Sequence, residues 1–137
     1  MDDLPLVLSL LTESGLPCDG VVDHFPEAYV VIREGEAVVA VAGLEPYGES
    51  GLLRSVAVAP PARGKGLGLA ITETLLRDAV DRGFRQVFLL TSTATDFFRK
   101  LGFIETVRDE APVEMRLSPE FAGACPSSAV CLEKLLR

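Results

Sequence analysis

The sequence predicts an α/β fold with antiparallel strands first and a parallel crossover afterwards. Three observations carry that prediction. Two β-branched-rich runs are separated only by Glu34, Gly35 and Glu36, which reads as a tight antiparallel hairpin. A third run, LLRSVAVA, is apolar on both faces and belongs inside a sheet. From Gly66 the apolar period turns helical before another buried run, QVFLLT, and strand, helix, strand in that order implies a right-handed crossover between parallel neighbours. A chain of 137 residues falls within the usual size of one domain, so residues 1–137 are read as a single unit.

In chain order, Leu4, Val7, Leu8 and Leu11 follow helical spacing and predict an N-terminal helix ending near Gly15 and Pro17. An irregular segment holding the single histidine, His24, comes next. Ala28 to Arg33 and Ala37 to Glu45 are the hairpin strands, PYGESG (46–51) makes a second turn, and Leu52 to Ala59 is the central strand. Leu67, Ala70, Ile71, Thr74, Leu75 and Ala79 line one face of a helix over 66–82, with Gly83 placed to cap it. Gln86 to Thr91 is a buried strand, followed by a short helix near Ala94 to Leu101, a break at Gly102 and a brief strand at Phe103 to Thr106. Ser118, Pro119 and Glu120 read as N-cap, first helical position and acidic first turn of a short helix. Ala129 to Leu136 fits helix or strand by periodicity alone.

Composition narrows the partners. A net charge of −7 argues against a nucleic-acid partner, whose affinity depends on a basic surface. No apolar stretch approaches the ~20 residues of a bilayer span, so no membrane partner is expected. The start, with Asp2 and Asp3, lacks the basic onset and cleavage site of a secretory signal, and a cytoplasmic location is expected. Cys18, Cys125 and Cys131 are odd in number and spaced neither as a CxxC pair nor as a metal knuckle, so they read as small buried hydrophobes and no metal site is expected.

Against that acidic background, Arg54, Arg63 and Lys65 gather around PPARGKGLG (60–68). A strand that stops at Pro60 and reopens as a helix at Gly66 presents unpaired backbone N–H groups and the positive end of the helix dipole. Gly64, Gly66 and Gly68 lack a Cβ, so an anion can approach the main chain. The spacing is neither a Walker A motif nor the dinucleotide fingerprint. An anion cradle and a turn serving only chain reversal are the two readings.

These residues resemble the GNAT acyltransferases, whose pyrophosphate loop reads [RQ]xxGxG[A] after the fourth strand. Arg63, Gly64, Lys65, Gly66, Leu67 and Gly68 fit that pattern in place after SVAVAP, and ATDFFRKLGF (94–103) resembles the family's AxxFYxxxGF segment. GLLRSVAV, VFLLTSTATDFFRKLGF and CPSSAVCLEKLL are similar to small stand-alone relatives of the acetyltransferase domain of N-acetylglutamate synthase, a group that includes arsenic-resistance-associated acetyltransferases. The resemblance implies a GNAT fold, a mixed, mostly antiparallel sheet with helices on both faces and a central parallel strand pair splayed around the CoA. It also implies acetyl transfer from acetyl-CoA, as co-substrate, directly to the primary amine of an amino acid or amino-acid-like small molecule. Dimers are common for this fold, and no surface is singled out for one.

On that resemblance, Val56, Ala57 and Val58 offer main-chain partners to the pantetheine arm, and an N–H near Val56 stabilises the oxyanion. Their side chains read as core. Arg63 to Gly68 hold the pyrophosphate, and Thr93, Phe97 and Phe98 line the cofactor. The family usually carries a tyrosine where this chain has Phe98, so no hydroxyl stands there to protonate the leaving thiolate. Thr91, Ser92 and Thr93 are nearby hydroxyls that also suit a plain turn and cap. That departure favours the alternative of a degenerate acyl-CoA-binding sensor without turnover.

Glu45 is the best-placed base for the amine, through water, against the reading of a strand-end glutamate in solvent. Arg54, inside an apolar strand, needs a partner. If Glu45 pairs with Leu52, Arg54 lies diagonal to it on the same face, so an Arg54–Glu45 pair competes with an Arg54 that binds a substrate carboxylate, the reading slightly favoured. Arg108 and Ser128 are weaker substrate-binding candidates, and His24 reads as surface or loop structure.

Overall fold

A computed structural model of the chain describes residues 3–124 and 128–136. Asp2, Cys125 and part of the CPSS segment lie outside the described residues. Helices α1 (Leu4–Glu13) and α2 (Val21–His24) precede strands β1 (Tyr29–Glu34), β2 (Ala37–Tyr47) and β3 (Ser50–Val58). Helix α3 (Leu67–Asp81) leads to β4 (Gln86–Thr91), α4 (Thr95–Lys100), β5 (Ile104–Thr106), α5 (Val113–Arg116) and β6 (Val130–Leu135). The strand order is β1-β2-β3-β4-β6-β5, with β3 and β4 parallel at the centre and every other neighbouring pair antiparallel.

Because side chains alternate along a strand, β2 serves two cores. Ala40, Ala42 and Leu44 pack with Ile71 and Leu75 of α3 and Phe98 of α4, while Val41 packs with Val7, Leu10 and Leu11 of α1. Helices therefore cover both faces, and the α/β class read from the sequence holds. The ambiguous segment after Ala129 becomes β6 because it fills the place between β4 and β5, antiparallel to both.

The buried face of α3 differs from the expected one. Ala70 and Thr74 are exposed, whereas Thr72 and Leu76 are buried beside Ile71, Leu75 and Ala79. The helix rests on the sheet along two adjacent rows rather than one, and Thr74 turns its hydroxyl back to the Ala70 carbonyl at 2.9 Å. Gly83 ends α3 as expected, its N–H bonding Val80 O and the Phe84 N–H bonding Ala79 O, the paired bonds of a Schellman end. The elements the sequence did not reveal, α2, α5 and the short 3₁₀ turns at Pro60–Ala62 and Arg108–Glu110, are a single turn each, too short to show a period. The helix expected after Ser118 is one wide turn, Glu120–Ala124, with Ser118 Oγ accepting the Phe121 N–H at 3.5 Å.

The β2–β3 turn is tighter than PYGESG suggested, since β2 continues through Tyr47, which pairs with Ser50. The register still sets Glu45 opposite Leu52 and Gly43 opposite Arg54. Glu45 and Arg54 thus share a face of the sheet.

Candidate active site

The parallel ladder between β3 and β4 covers only Ser50, Gly51 and Leu52, the last opposite Phe88. Beyond that point the strands diverge, and a cavity of about 140 Å³ opens between them. Its walls include Leu53 to Val56 from β3, Leu89 to Thr91 from β4, and Phe97 and Phe98 from α4. The register of β3 against β2 slips between Val41 and Gly43, and Ser55 at this bulge has φ +61°. Leu53 and Val56 consequently face the same core, where strict alternation would have separated them.

Outward of the cavity, two neighbouring depressions share lining residues with it and with each other. Thr93, Ala94 and Phe97 line both the cavity and an open groove that reaches Val58 and Arg63, and Val58, Arg63 and Phe97 continue into a depression formed by Ala62, Gly64 and Gly66 to Leu69. Gly64 and Gly66 have left-handed φ values of +83° and +77°, and a Cβ on either would meet no atom within 4 Å. The conformation requires glycine and the space outside it is open, which suits an anion seated on the start of α3. Arg63 is fixed there by donation from Nε to Val58 O at 2.9 Å, while Lys65 is exposed.

A buried polar cluster closes the inner end. Glu45 is 1% exposed, so the solvent-facing reading of it is corrected: α2 and the segment around Glu120 close over that end of β2. Tyr29 Oη donates to Glu45 Oε2 at 2.9 Å and Tyr47 Oη to Oε1 at 3.2 Å, with Arg54 Nη1 at 3.6 Å and His24 Nε2 at 3.9 Å. A Cβ on Gly43 would lie 2.4 Å from the Tyr29 ring, so glycine is what lets that ring cross β2 toward Glu45. Burial, with Arg54 opposing and Glu45 reinforcing, holds the Tyr29 phenol well above its usual range. Burial and the Glu45 charge push Tyr47 up to about 12.

Arg54 binds this cluster to two chain segments. It is 3% exposed; Nε donates to Ser55 Oγ at 3.1 Å and lies 3.5 Å from Glu120 Oε1. Nη1 donates to Asp19 O at 2.6 Å and Nη2 to Pro17 O at 3.2 Å. The Arg54–Glu45 pair of the sequence analysis is formed, and Arg54 also lines the cavity.

The expected residues fall into three groups. Val56, Arg54, Thr93, Phe97 and Phe98 meet at the cavity, and Val58, Arg63, Gly64, Gly66, Leu67 and Gly68 at its outer groove. Ala57 turns its side chain into the α1 core, leaving only its main chain to the cleft side of β3. Arg108 donates to Ala129 O at 3.2 Å and thus lies beside exposed Ser128, but neither lines the cavity, because Arg108 follows the edge strand β5, two strands away from β4. Thr91 Oγ1 accepts the Ala94 N–H at 3.0 Å, which is turn-capping work. Sequence reasoning missed Ser55, Glu120, Tyr29 and Tyr47 as site residues. Only the strand pattern around Ser55 and the acidic turn at Glu120 hinted at positions, and neither signalled the site.

The central parallel pair thus splays beside depressions that end at a glycine-rich helix start. Residues 9–103 match the model of the acetyltransferase (GNAT) family, and the chain belongs to that family. The amino-acid acetyltransferase of Actinobacillus pleuropneumoniae serotype 3 is 31% identical over 90 residues, 64% of this chain and 21% of its own length. That of Mycobacterium tuberculosis is 42% identical over 59 residues, 43% of this chain and 33% of its own. The chain spans about a fifth to a third of the length of these curated relatives. N-acetylglutamate synthase from Neisseria gonorrhoeae, complexed with coenzyme A and N-acetyl-glutamate, superposes with a TM-score of 0.84 at 20% identity, covering 100% of this chain and 34% of that one. Rv2747 from Mycobacterium tuberculosis, in complex with CoA and NLQ, gives 0.80 at 24% identity, covering 98% and 95%. Both likenesses concern the fold.

Proposed function

We propose that this chain transfers acetyl from acetyl-CoA to the primary amine of an amino acid or amino-acid-like small molecule. The observation that carries the proposal is the chain of depressions, joined by shared walls at Phe97, Thr93, Val58 and Arg63, from the glycine-rich start of α3 to the cavity between the diverging strands. The names of the relatives, amino-acid acetyltransferase, support the same acceptor class. Arg63, Gly64, Lys65, Gly66 and the first turn of α3 hold the pyrophosphate, and the main chain of Val56 to Val58 with Thr93, Phe97 and Phe98 borders the arm. When bound, acetyl-CoA supplies the thioester carbon that takes the amine nitrogen as the C–S bond breaks.

The Val56 N–H, displaced by the bulge, meets the negative charge that develops on the acyl oxygen. The acceptor occupies the end of the cavity walled by Arg54, Ser55 and Glu120. Phe98 is buried edge-to-face between Phe97 and Phe103 and offers no proton. A thiol of pKa ~8.5 is a tolerable leaving group, and a proton from the attacking amine neutralises it.

The test is thiol release from acetyl-CoA across a panel of amino acids and analogues. Turnover with at least one amino acid is expected. Tight CoA binding without turnover on any amine would sink the proposal in favour of an acyl-CoA sensor.

A further inference from the structure

The cleft carries opposite charge at its two ends. Arg63 lines the outer depression, with exposed Lys65 close behind it in the chain. At the inner end a single cation, Arg54, faces two carboxylates, with Glu45 Oε2 3.6 Å from Nη1 and Glu120 Oε1 3.5 Å from Nε. We propose that the inner end selects the acceptor by charge: the fewer carboxylates an amine carries, the better it is received, and Arg54 is a positioning residue rather than the receptor of an acceptor carboxylate. The inference rests on the transferase reading above and narrows its acceptor class.

The guanidinium is committed to the protein. It has five N–H groups, one on Nε and two on each terminal nitrogen. Nε gives its single proton to Ser55 Oγ at 3.1 Å, which closes the side-on fork that a carboxylate would use. The terminal nitrogens hold main chain, Nη1 donating to Asp19 O at 2.6 Å and Nη2 to Pro17 O at 3.2 Å. Packing closes in as well. A Cβ on Gly20 would lie 2.9 Å from Pro119 Cγ and 3.5 Å from Arg54 Nη1, so the loop between α1 and α2 meets the turn before Glu120 beside the guanidinium. Leu16 and Pro17 of that loop wall the cavity, and Arg54 is what ties them there.

The charges do not balance. Arg54 is 3% exposed, Glu45 1% and Glu120 4%, so bulk salt screens them weakly. Arg54 and Glu120 line the cavity, and Glu45 adds its charge through its contact with Arg54. Residues 121–132 contain no charged side chain, so the turn that brings Glu120 to Arg54 brings no second cation. Tyr29 and Tyr47 face Glu45 with hydroxyls at 2.9 and 3.2 Å, and His24, 3.9 Å away, adds a cation only when protonated. A carboxylate brought to this end meets a cation that two carboxylates already match, and like charges set side by side are a repulsive element that rejects a partner. An amine whose carboxylates are masked as amides avoids that repulsion.

Glutaminamide, glutamine and glutamate are nearly equal in size and carry zero, one and two carboxylates, so they vary charge with shape almost constant. Compared at equal free-amine concentration, kcat/KM should fall along that series by about tenfold per carboxylate, the scale of one charge felt over ~10 Å of protein interior. The amino acid that turns over best is compared with its own α-amide in the same way, and the amide should be the better acceptor. Glu120→Gln removes one charge at nearly constant shape. It should shrink each step of the series by about threefold or more, with CoA affinity by calorimetry within about twofold, in protein whose Tyr29 and Tyr47 hydroxyl NMR signals show the Glu45 end intact. Arg54→Lys keeps the charge and loses the fork, and should lower kcat/KM by one common factor along the series.

Three results would overturn charge selection: a free acid outrunning its amide in the wild type, steps unmoved by Glu120→Gln, or a loss in Arg54→Lys that falls on the carboxylated acceptors alone. Should Arg54→Lys fail to fold, the wild-type series and Glu120→Gln decide between them. A wild-type protein that acetylates no amine would instead overturn the transferase reading on which the selection rests.

Discussion

The outer and inner ends of the cleft are built on opposite plans. The outer end is main chain: left-handed glycines, the start of α3 and exposed cations, contributed by consecutive residues 63–68. The inner end is side chain: Glu45, Arg54, Tyr29, Ser55 and Glu120 come from four separate segments and are nearly excluded from water. A site made of backbone tolerates side-chain change but not a new Cβ. A site made of buried charges depends on every partner remaining.

The largest effect should come from breaking the inner end. Arg54→Met removes the buried cation that faces two buried carboxylates and donates to the Pro17 and Asp19 carbonyls, and should cost about 3–5 kcal/mol in urea unfolding, the usual consequence of removing one partner of a buried pair. A loss under about 1 kcal/mol would show that the cluster is held together without its cation. Restoring stability with Glu45→Gln in the same chain would sharpen the point, since it removes a buried charge that has lost its cation.

At the outer end, Gly66→Val should separate the two plans. Its left-handed backbone makes any side chain unfavourable by roughly 1–2 kcal/mol, and the new Cβ enters the space assigned to the pyrophosphate. The variant should stay folded and bind CoA at least tenfold more weakly by calorimetry, with the Tyr29 and Tyr47 hydroxyl signals unchanged. Undiminished CoA affinity in the folded variant would remove the loop from the site.

The smallest effect near neutrality, and a distinct one in alkali, belongs to the tyrosines. Both phenols titrate higher in the fold than the ~10 of an unfolded chain, Tyr47 at about 12. Their contribution is therefore fully present below pH ~10 and is lost as pH rises through the folded values, because the unfolded chain ionises first. Unfolding free energy should be unaffected by this linkage at pH 7 and fall steeply above pH ~10. Tyr47→Phe should flatten that fall, and an unchanged slope would place Tyr47 outside the cluster.

The strands, the crossover and the glycine-rich loop were legible because each is a local pattern: alternation, a helical period, or glycines at fixed spacing before a helix. The likeness of ATDFFRKLGF to its family segment was legible for the same reason. The shift in the buried face of α3 and the strand identity of 130–135 were not, since both depend on what lies against them.

By itself, the sequence determined the order of the elements with a readable period, α1, β1, β2, β3, α3, β4, α4 and β5, and the outer half of the cleft, where neighbouring residues do the work. It even placed Glu45 and Arg54 on one face, since a hairpin register follows from its turn. Only the tertiary structure decided that Glu45 is buried, that Arg54 is held by two carboxylates and two carbonyls, and that Ser55 rather than Glu45 reaches the cavity. Those outcomes depend on which loops close over a strand end and where a bulge reverses its alternation. Such contacts join residues up to 66 positions apart in Arg54 and Glu120, a separation that no local spacing encodes.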